Sequence, residues 1–192
     1  EISSTFTCPK CRRKASLDDV QRLTVQEHDD VLGEQRALRG RTMARVYGST
    51  GQKRWSRAAT AADLTLIEKI EAEPIPSCVP MALIPWGDLY RKGYHQGITH
   101  VHHFYTRRNL IVFARMWERV ESYRGALREG LRFWLLSYNA AHGTIMTRVV
   151  AKSGQKDLVV TSAQPGVLYV SGLPVEKNFF AGLRRKLTTI AQ

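Results

Sequence analysis

The chain has 192 residues, 43% hydrophobic and 24% charged, enough to bury one sizeable core and unlike a disordered or fibrous composition. Its 29 Lys and Arg against 17 Asp and Glu leave a formal charge of +12, which favours polyanions as partners, nucleic acid first, although such charge can also serve solubility alone. No apolar run approaches the roughly 20 residues needed to cross a bilayer, and the leading EISSTFTCPK has no secretory core, so the expectation is a cytoplasmic protein without a membrane segment.

The first motif is Cys8-Pro9-Lys10-Cys11, followed by Arg12, Arg13 and Lys14. Two thiolates at this spacing suit a metal better than a disulfide framework, and the third cysteine, Cys78, stands apart. A tetrahedral zinc site takes four ligands, so this is half of one. Either His28 and a further group complete it, or the missing cysteines lie upstream in a longer protein, an option with which the absence of an initiator Met agrees.

From Arg41 the run RTMARVYGSTGQKRWSRAAT predicts a β-hairpin around Gly48-Ser49-Thr50-Gly51, with Arg45, Lys53, Arg54 and Arg57 on its outward face. Thr60 and Asp63 form a T-x-x-D start signal for a helix through Leu64, Ile67 and Ile70 to about Ala72. Pro74, Pro76, Pro80 and Pro85 then make residues 73–97 an extended connector.

Thr106 is an N-cap for a helix to about Glu121, with Leu110, Phe113, Ala114, Trp117 and Val120 inward and Arg108, Arg115 and Arg119 on the opposite face. A second helix starts near Arg124 and turns Leu127, Leu131, Trp134, Leu135 and Tyr138 inward. Two strands, Asp157 to Ser162 and Val167 to Ser171, are expected to meet through Gln164-Pro165-Gly166. A last amphipathic helix runs from about Glu176 through Phe179, Phe180, Leu183, Leu187 and Ile190. The class is α+β, divided into a zinc-knuckle and hairpin region (1–58), a helix and Pro-rich connector (59–97) and a helix-rich α/β part (98–192).

The densest chemistry lies in ITHVHHFYTRRNL. His100 and His102 on one side of an extended segment could share a metal, but no carboxylate or further ligand is close in sequence. The histidines could instead be hydrogen-bonded inside the fold, or His100, His102, His103 and Tyr105 could face nucleic acid beside Arg107 and Arg108. No G-x-G-x-x-G, Walker loop, G-x-S-x-G elbow or Asp-Pro-Pro motif occurs, so the chain carries no evident complete active site.

The blocks CPKC, AADLTLIEKIEAEPIP, GITHVHHFYTRRNLIVFARMWERV and GVLYVSGLPVEKNFFAGLRRK, in that order, resemble the middle portion of bacterial DNA methylases with a zinc-ribbon-like insert, similar to adenine-specific or N4-cytosine amino methyltransferases. The resemblance implies DNA and S-adenosylmethionine as partner and cofactor. It also implies that flanking segments of the same polypeptide hold the other zinc cysteines and the catalytic Asp-Pro-Pro-Tyr/Phe motif, so the chain alone lacks catalysis. Carried onto this sequence, it marks Cys8 and Cys11 as half a zinc ribbon, and Thr106, Arg107, Asn109, Glu176 and Asn178 as residues toward the cofactor. Beside it stands the plainer alternative of a stand-alone nucleic-acid-binding module with a zinc knuckle. A scaffold domain whose charge is only solubilising is the third reading.

Overall fold

The computed structural model describes residues 5–16, 23–87, 95–150, 160–163 and 165–190. Its strands pair only locally, as four separate two-stranded antiparallel sheets. These are β1 (Thr5–Thr7) with β2 (Lys14–Ser16), β3 (Thr24–Asp29) with β4 (Glu34–Arg39), β5 (Arg45–Thr50) with β6 (Lys53–Ala58), and β7 (Thr147–Val150) with β8 (Val160–Ala163). Four α-helices complete the mixed α+β fold: α1 (Ala61–Glu71), α2 (Arg107–Glu121), α3 (Gly125–His142) and α4 (Phe179–Ile190).

Short polar signals set the helix starts. The Thr60 hydroxyl accepts from the Asp63 N–H at 3.4 Å while the Asp63 carboxylate accepts from the Thr60 N–H at 2.8 Å, closing a capping box on α1. Thr106 accepts from the Asn109 N–H at 3.3 Å and opens α2. Asn178 Oδ1 accepts from the Ala181 N–H at 3.0 Å at the head of α4, two residues later than the periodicity suggested.

The core has two parts. Val120, Leu135, Phe179 and Leu183 lie between α2, α3 and α4, where the Trp134 indole donates to the Leu183 carbonyl at 2.9 Å. Ile84, Ile98, Phe104, Ile145, Met146 and Val170 form the other part, built from the connector, a 3₁₀ turn at Val101–Phe104 and the chain after α3. Three inward assignments are corrected: Leu127, Phe180 and Leu187 point outward, at 57%, 56% and 48% exposed, because the helices touch along a stripe narrower than their apolar faces. The strand pairing after α3 is also corrected. Within the expected first strand, Val160–Ala163 pairs backward with Thr147–Val150, whereas Pro165–Val167 is a 3₁₀ turn and Leu168 adopts a φ of 50°, which no strand accommodates. Residues 157–159 and Gln164 of that expectation lie outside the described residues.

The β3–β4 hairpin, unforeseen from the residue pattern, docks on the segment before the histidines. Gly97 makes the approach feasible: its φ is 78°, and a Cβ there would stand 2.5 Å from the Ala37 carbonyl oxygen of β4. Arg36 then donates to the Gly97 carbonyl at 3.0 Å, and Arg107 at the start of α2 pairs with Asp30 in the hairpin turn. Among the described residues no helix is long and apolar enough to cross a membrane.

Candidate functional site

The hairpin docking carries Asp29 to the histidines from 73 and 74 residues upstream. His102 Nε2 lies 3.0 and 3.2 Å from the two Asp29 oxygens, and His103 Nε2 lies 2.5 Å from Oδ2. The hairpin turn holds the carboxylate in place, since Oδ1 also accepts from the N–H groups of Val31 (3.0 Å) and Leu32 (3.2 Å). Arg36 Nε is 3.6 Å from Oδ2 and supplies the compensating charge. All three partners are buried, with side chains 3%, 5% and 1% exposed for Asp29, His102 and His103.

The hydrogen bonds decide the protonation state. His103 Nδ1 accepts from the backbone N–H groups of Thr99 (3.0 Å) and His100 (3.2 Å), so the ring proton sits on Nε2 and is donated to Asp29. His102 Nδ1 is buried without a partner among the described residues; a neutral ring leaves only a lone pair there, whereas a charged one would strand a donor. Burial accordingly lowers both histidines, His103 to about 4, against the opposing pull of Asp29. Burial also works against the Asp29 charge, but hydrogen bonds from His102, His103 and the Leu32 N–H prevail and hold its carboxyl well below the usual range.

Asp29, His102 and His103 bring three potential ligand atoms within 4.8 Å of one another. The arrangement does not fit a metal. A ligating histidine ordinarily gives its second N–H to an acceptor, and here the second nitrogen of His103 is itself the acceptor of two backbone donors. The histidine cluster is therefore an internal clamp, and the structure corrects the expectation that His102 and His103 face nucleic acid, since both rings are enclosed. His100 is half-buried, with Nδ1 2.9 Å from the Thr99 hydroxyl. Tyr105 turns inward too: its hydroxyl accepts from Asn139 at 2.6 Å, and burial raises its pKa.

The Cys8–Cys11 turn suits a thiolate, because the backbone N–H groups of Cys11 and Lys10 point at the Cys8 sulfur and lower its pKa. Among the described residues no third ligand joins the two cysteines. His28 does not complete the site; it is exposed on β3, with Nε2 3.8 Å from Asp30. The zinc half-site remains a half.

The residues assigned to a cofactor are engaged within the fold. Thr106 caps α2, and Arg107 bonds Asp30 and the Glu73 carbonyl. Asn109 is buried and donates to the carbonyls of His142 (3.3 Å) and Gly143 (3.2 Å). Glu176 accepts from Arg108 at 2.9 Å, and Asn178 caps α4. The arginine stripe on α2 is likewise largely neutralised: Arg108 by Glu176, Arg115 by Glu118 at 3.1 Å, with Arg119 over the Tyr123 ring at 5.6 Å.

On β5–β6 the register corrects the single basic face. Directly opposed residues share a face, and the pairs are Arg45↔Ala58, Val46↔Arg57, Gly48↔Trp55, Ser49↔Arg54 and Thr50↔Lys53. Arg45, Tyr47 and Arg54 therefore occupy one face, and Lys53, Trp55 and Arg57 the other. No side chain of the hairpin is buried. Trp55 lies flat across Gly48, where a Cβ would stand 2.2 Å from its ring, and its indole donates to Thr50 at 3.2 Å. Arg57 grips Asp63 bidentately at 2.5 and 2.8 Å and ties the hairpin to α1. Lys53 and Arg54 have no carboxylate partner among the described residues, and Tyr47 and Trp55 are 45% and 41% exposed.

Sequence reasoning missed Asp29, Arg36 and Gly97. The one available signal was Asp29-Asp30-Val31-Leu32-Gly33, a turn sequence between two charge-rich runs. Comparison of the chain with known protein families, with curated proteins and with solved structures returned no match.

Proposed function

We propose that the chain is a non-catalytic, DNA-binding segment of a cytoplasmic, S-adenosylmethionine-dependent DNA amino methyltransferase, with the β5–β6 hairpin as its main contact. The observation that carries the reading is a two-stranded ribbon that buries nothing and carries cations and exposed aromatics on both faces. A ribbon of this kind fits the major groove, cations meet phosphates, and aromatic faces stack on bases. The methyltransferase class rests on the resemblance of the four sequence blocks, with catalysis and most of the cofactor pocket assigned to flanking segments of the same polypeptide. The engagement of Thr106, Arg107, Asn109, Glu176 and Asn178 inside the fold favours a second reading, a stand-alone nucleic-acid-binding module.

The test is duplex affinity measured across a salt series. Replacing Lys53 and Arg54 together by Ala is expected to lower the slope of log affinity against log salt by about 0.9 for each phosphate no longer neutralised, with little change in sequence preference. A double variant that keeps the parent's affinity and slope removes the hairpin from the interface. Saturable binding of S-adenosylmethionine separates the two readings in favour of the methyltransferase, while methyl transfer to DNA by the chain alone is expected at background.

A further inference from the structure

We propose that a cavity between the end of β4 and the Ser171-Gly172 segment is a binding site for a phosphate group. The cavity holds about 210 Å³ and is lined by Leu23, Arg39, Gly40, Arg41, Ser171 and Gly172. That volume exceeds several times the roughly 30 Å³ share of one water, leaving room for a tetrahedral oxyanion and some solvent. Two guanidiniums and no carboxylate line it. Arg39 is buried, 7% exposed, and two guanidiniums drawn together out of water repel each other, a cost that an anion between them offsets.

Both walls are fixed before any ligand arrives. The Gly40 N–H donates to the Leu23 carbonyl at 2.8 Å, which sets the course of the chain between the two arginines. Ser171 follows the fully buried Val170 and is itself only 9% exposed. Its Oγ accepts from the Leu173 N–H at 3.0 Å, which leaves the hydroxyl proton to donate. Desolvation, then the like charges of Arg39 and Arg36, push the Arg41 guanidinium below its ordinary range, with Glu27 the opposing carboxylate. A planar guanidinium fork with a hydroxyl donor is the usual equipment for a phosphate. The site is distinct from the β5–β6 hairpin and stands whether or not that hairpin contacts DNA.

Calorimetric titration of the intact chain with inorganic phosphate, against chloride at matched ionic strength, tests the site. Saturable one-to-one binding is expected, weakened about tenfold or more in Arg41→Ala by removal of a charge-assisted hydrogen bond, less in Ser171→Ala, and unchanged in Arg184→Ala on the last helix. Arg41→Gln guards against misfolding, because it keeps the side-chain bulk and is expected to lose binding as Arg41→Ala does. A response to phosphate no different from chloride overturns the proposal, as does parental affinity in both Arg41 variants. Competition identifies the source of the phosphate once binding is found. Displacement by hydroxyl-ended duplex upholds the site as one for a backbone phosphodiester. Displacement only by 5′-phosphorylated duplex upholds it for a terminal phosphate, and displacement by neither upholds it for a small phosphorylated molecule.

Discussion

The β3–β4 and β5–β6 hairpins are built from strands of equal length, six residues each, and differ in where their charges go. In β3–β4, Asp29 and Arg39 are buried, and Arg36 spans Glu27, Asp29 and Gly97. In β5–β6 nothing is buried; Arg57 finds a carboxylate in Asp63, while Lys53 and Arg54 find none among the described residues. Charge on a hairpin thus serves two ends. Neutralised inside the molecule it locks segments distant in sequence; left open it is available to an external polyanion. The histidines that look most functional in the sequence belong to the first kind.

The largest expected effect breaks the lock. Asp29→Ala leaves Arg36 and two imidazole donors without their acceptor, and a loss of about 3 to 5 kcal/mol is expected from urea or thermal unfolding. A loss under about 1 kcal/mol would mean that the clamp adds little to the fold.

Acid should act on the same region. His102 and His103 are held neutral, so their contribution is complete above the unfolded value near pH 6.5 and declines as pH falls through it, for His103 down to about 4. Each adds a slope of about 1.4 kcal/mol per pH unit over its window. Asp29, held ionised, brings a further loss only below about pH 4. Unfolding midpoints that stay level from pH 7 to 4.5 would contradict the neutral-histidine assignment.

Gly97→Ala forces an L residue into positive φ and a Cβ against the Ala37 carbonyl, and a cost of about 1 to 3 kcal/mol is expected, read as a lower melting temperature. Asp63→Ala removes both the α1 cap and the Arg57 anchor at exposed positions, so about 1 kcal/mol is expected. The smallest stability effect belongs to the open hairpin. Lys53→Ala with Arg54→Ala should change stability by no more than about 0.5 kcal/mol while altering the salt dependence of DNA binding, and a large loss of stability would erase the contrast between the hairpins.

What the sequence made legible was local. Thr60 with Asp63, Thr106, and Gly48 to Gly51 each act within a few residues, and the structure uses each as read. The β3–β4 hairpin was not legible, because TVQEHD and EQRALR are rich in charge and lack a clean alternation of apolar and polar residues. Asp29 could not be matched to His102 and His103, since contact across more than 70 residues leaves no trace in spacing. The single basic face on β5–β6 failed for a simpler reason. Arg54 and Arg57 are an odd number of residues apart and so point to opposite sides of a pleated strand.

Each described strand belongs to a two-stranded sheet, so each presents an open edge with backbone donors and acceptors facing outward. Such edges invite pairing with a neighbouring molecule, and natural proteins discourage this with charge. On β5–β6 that protection falls to Arg45, Lys53, Arg54 and Arg57, whose mutual repulsion between molecules is long-ranged only in dilute electrolyte. Concentrated salt therefore removes a safeguard against self-association as well as the attraction to a polyanion. A bound polyanion covers the same edges that bare protein must keep apart.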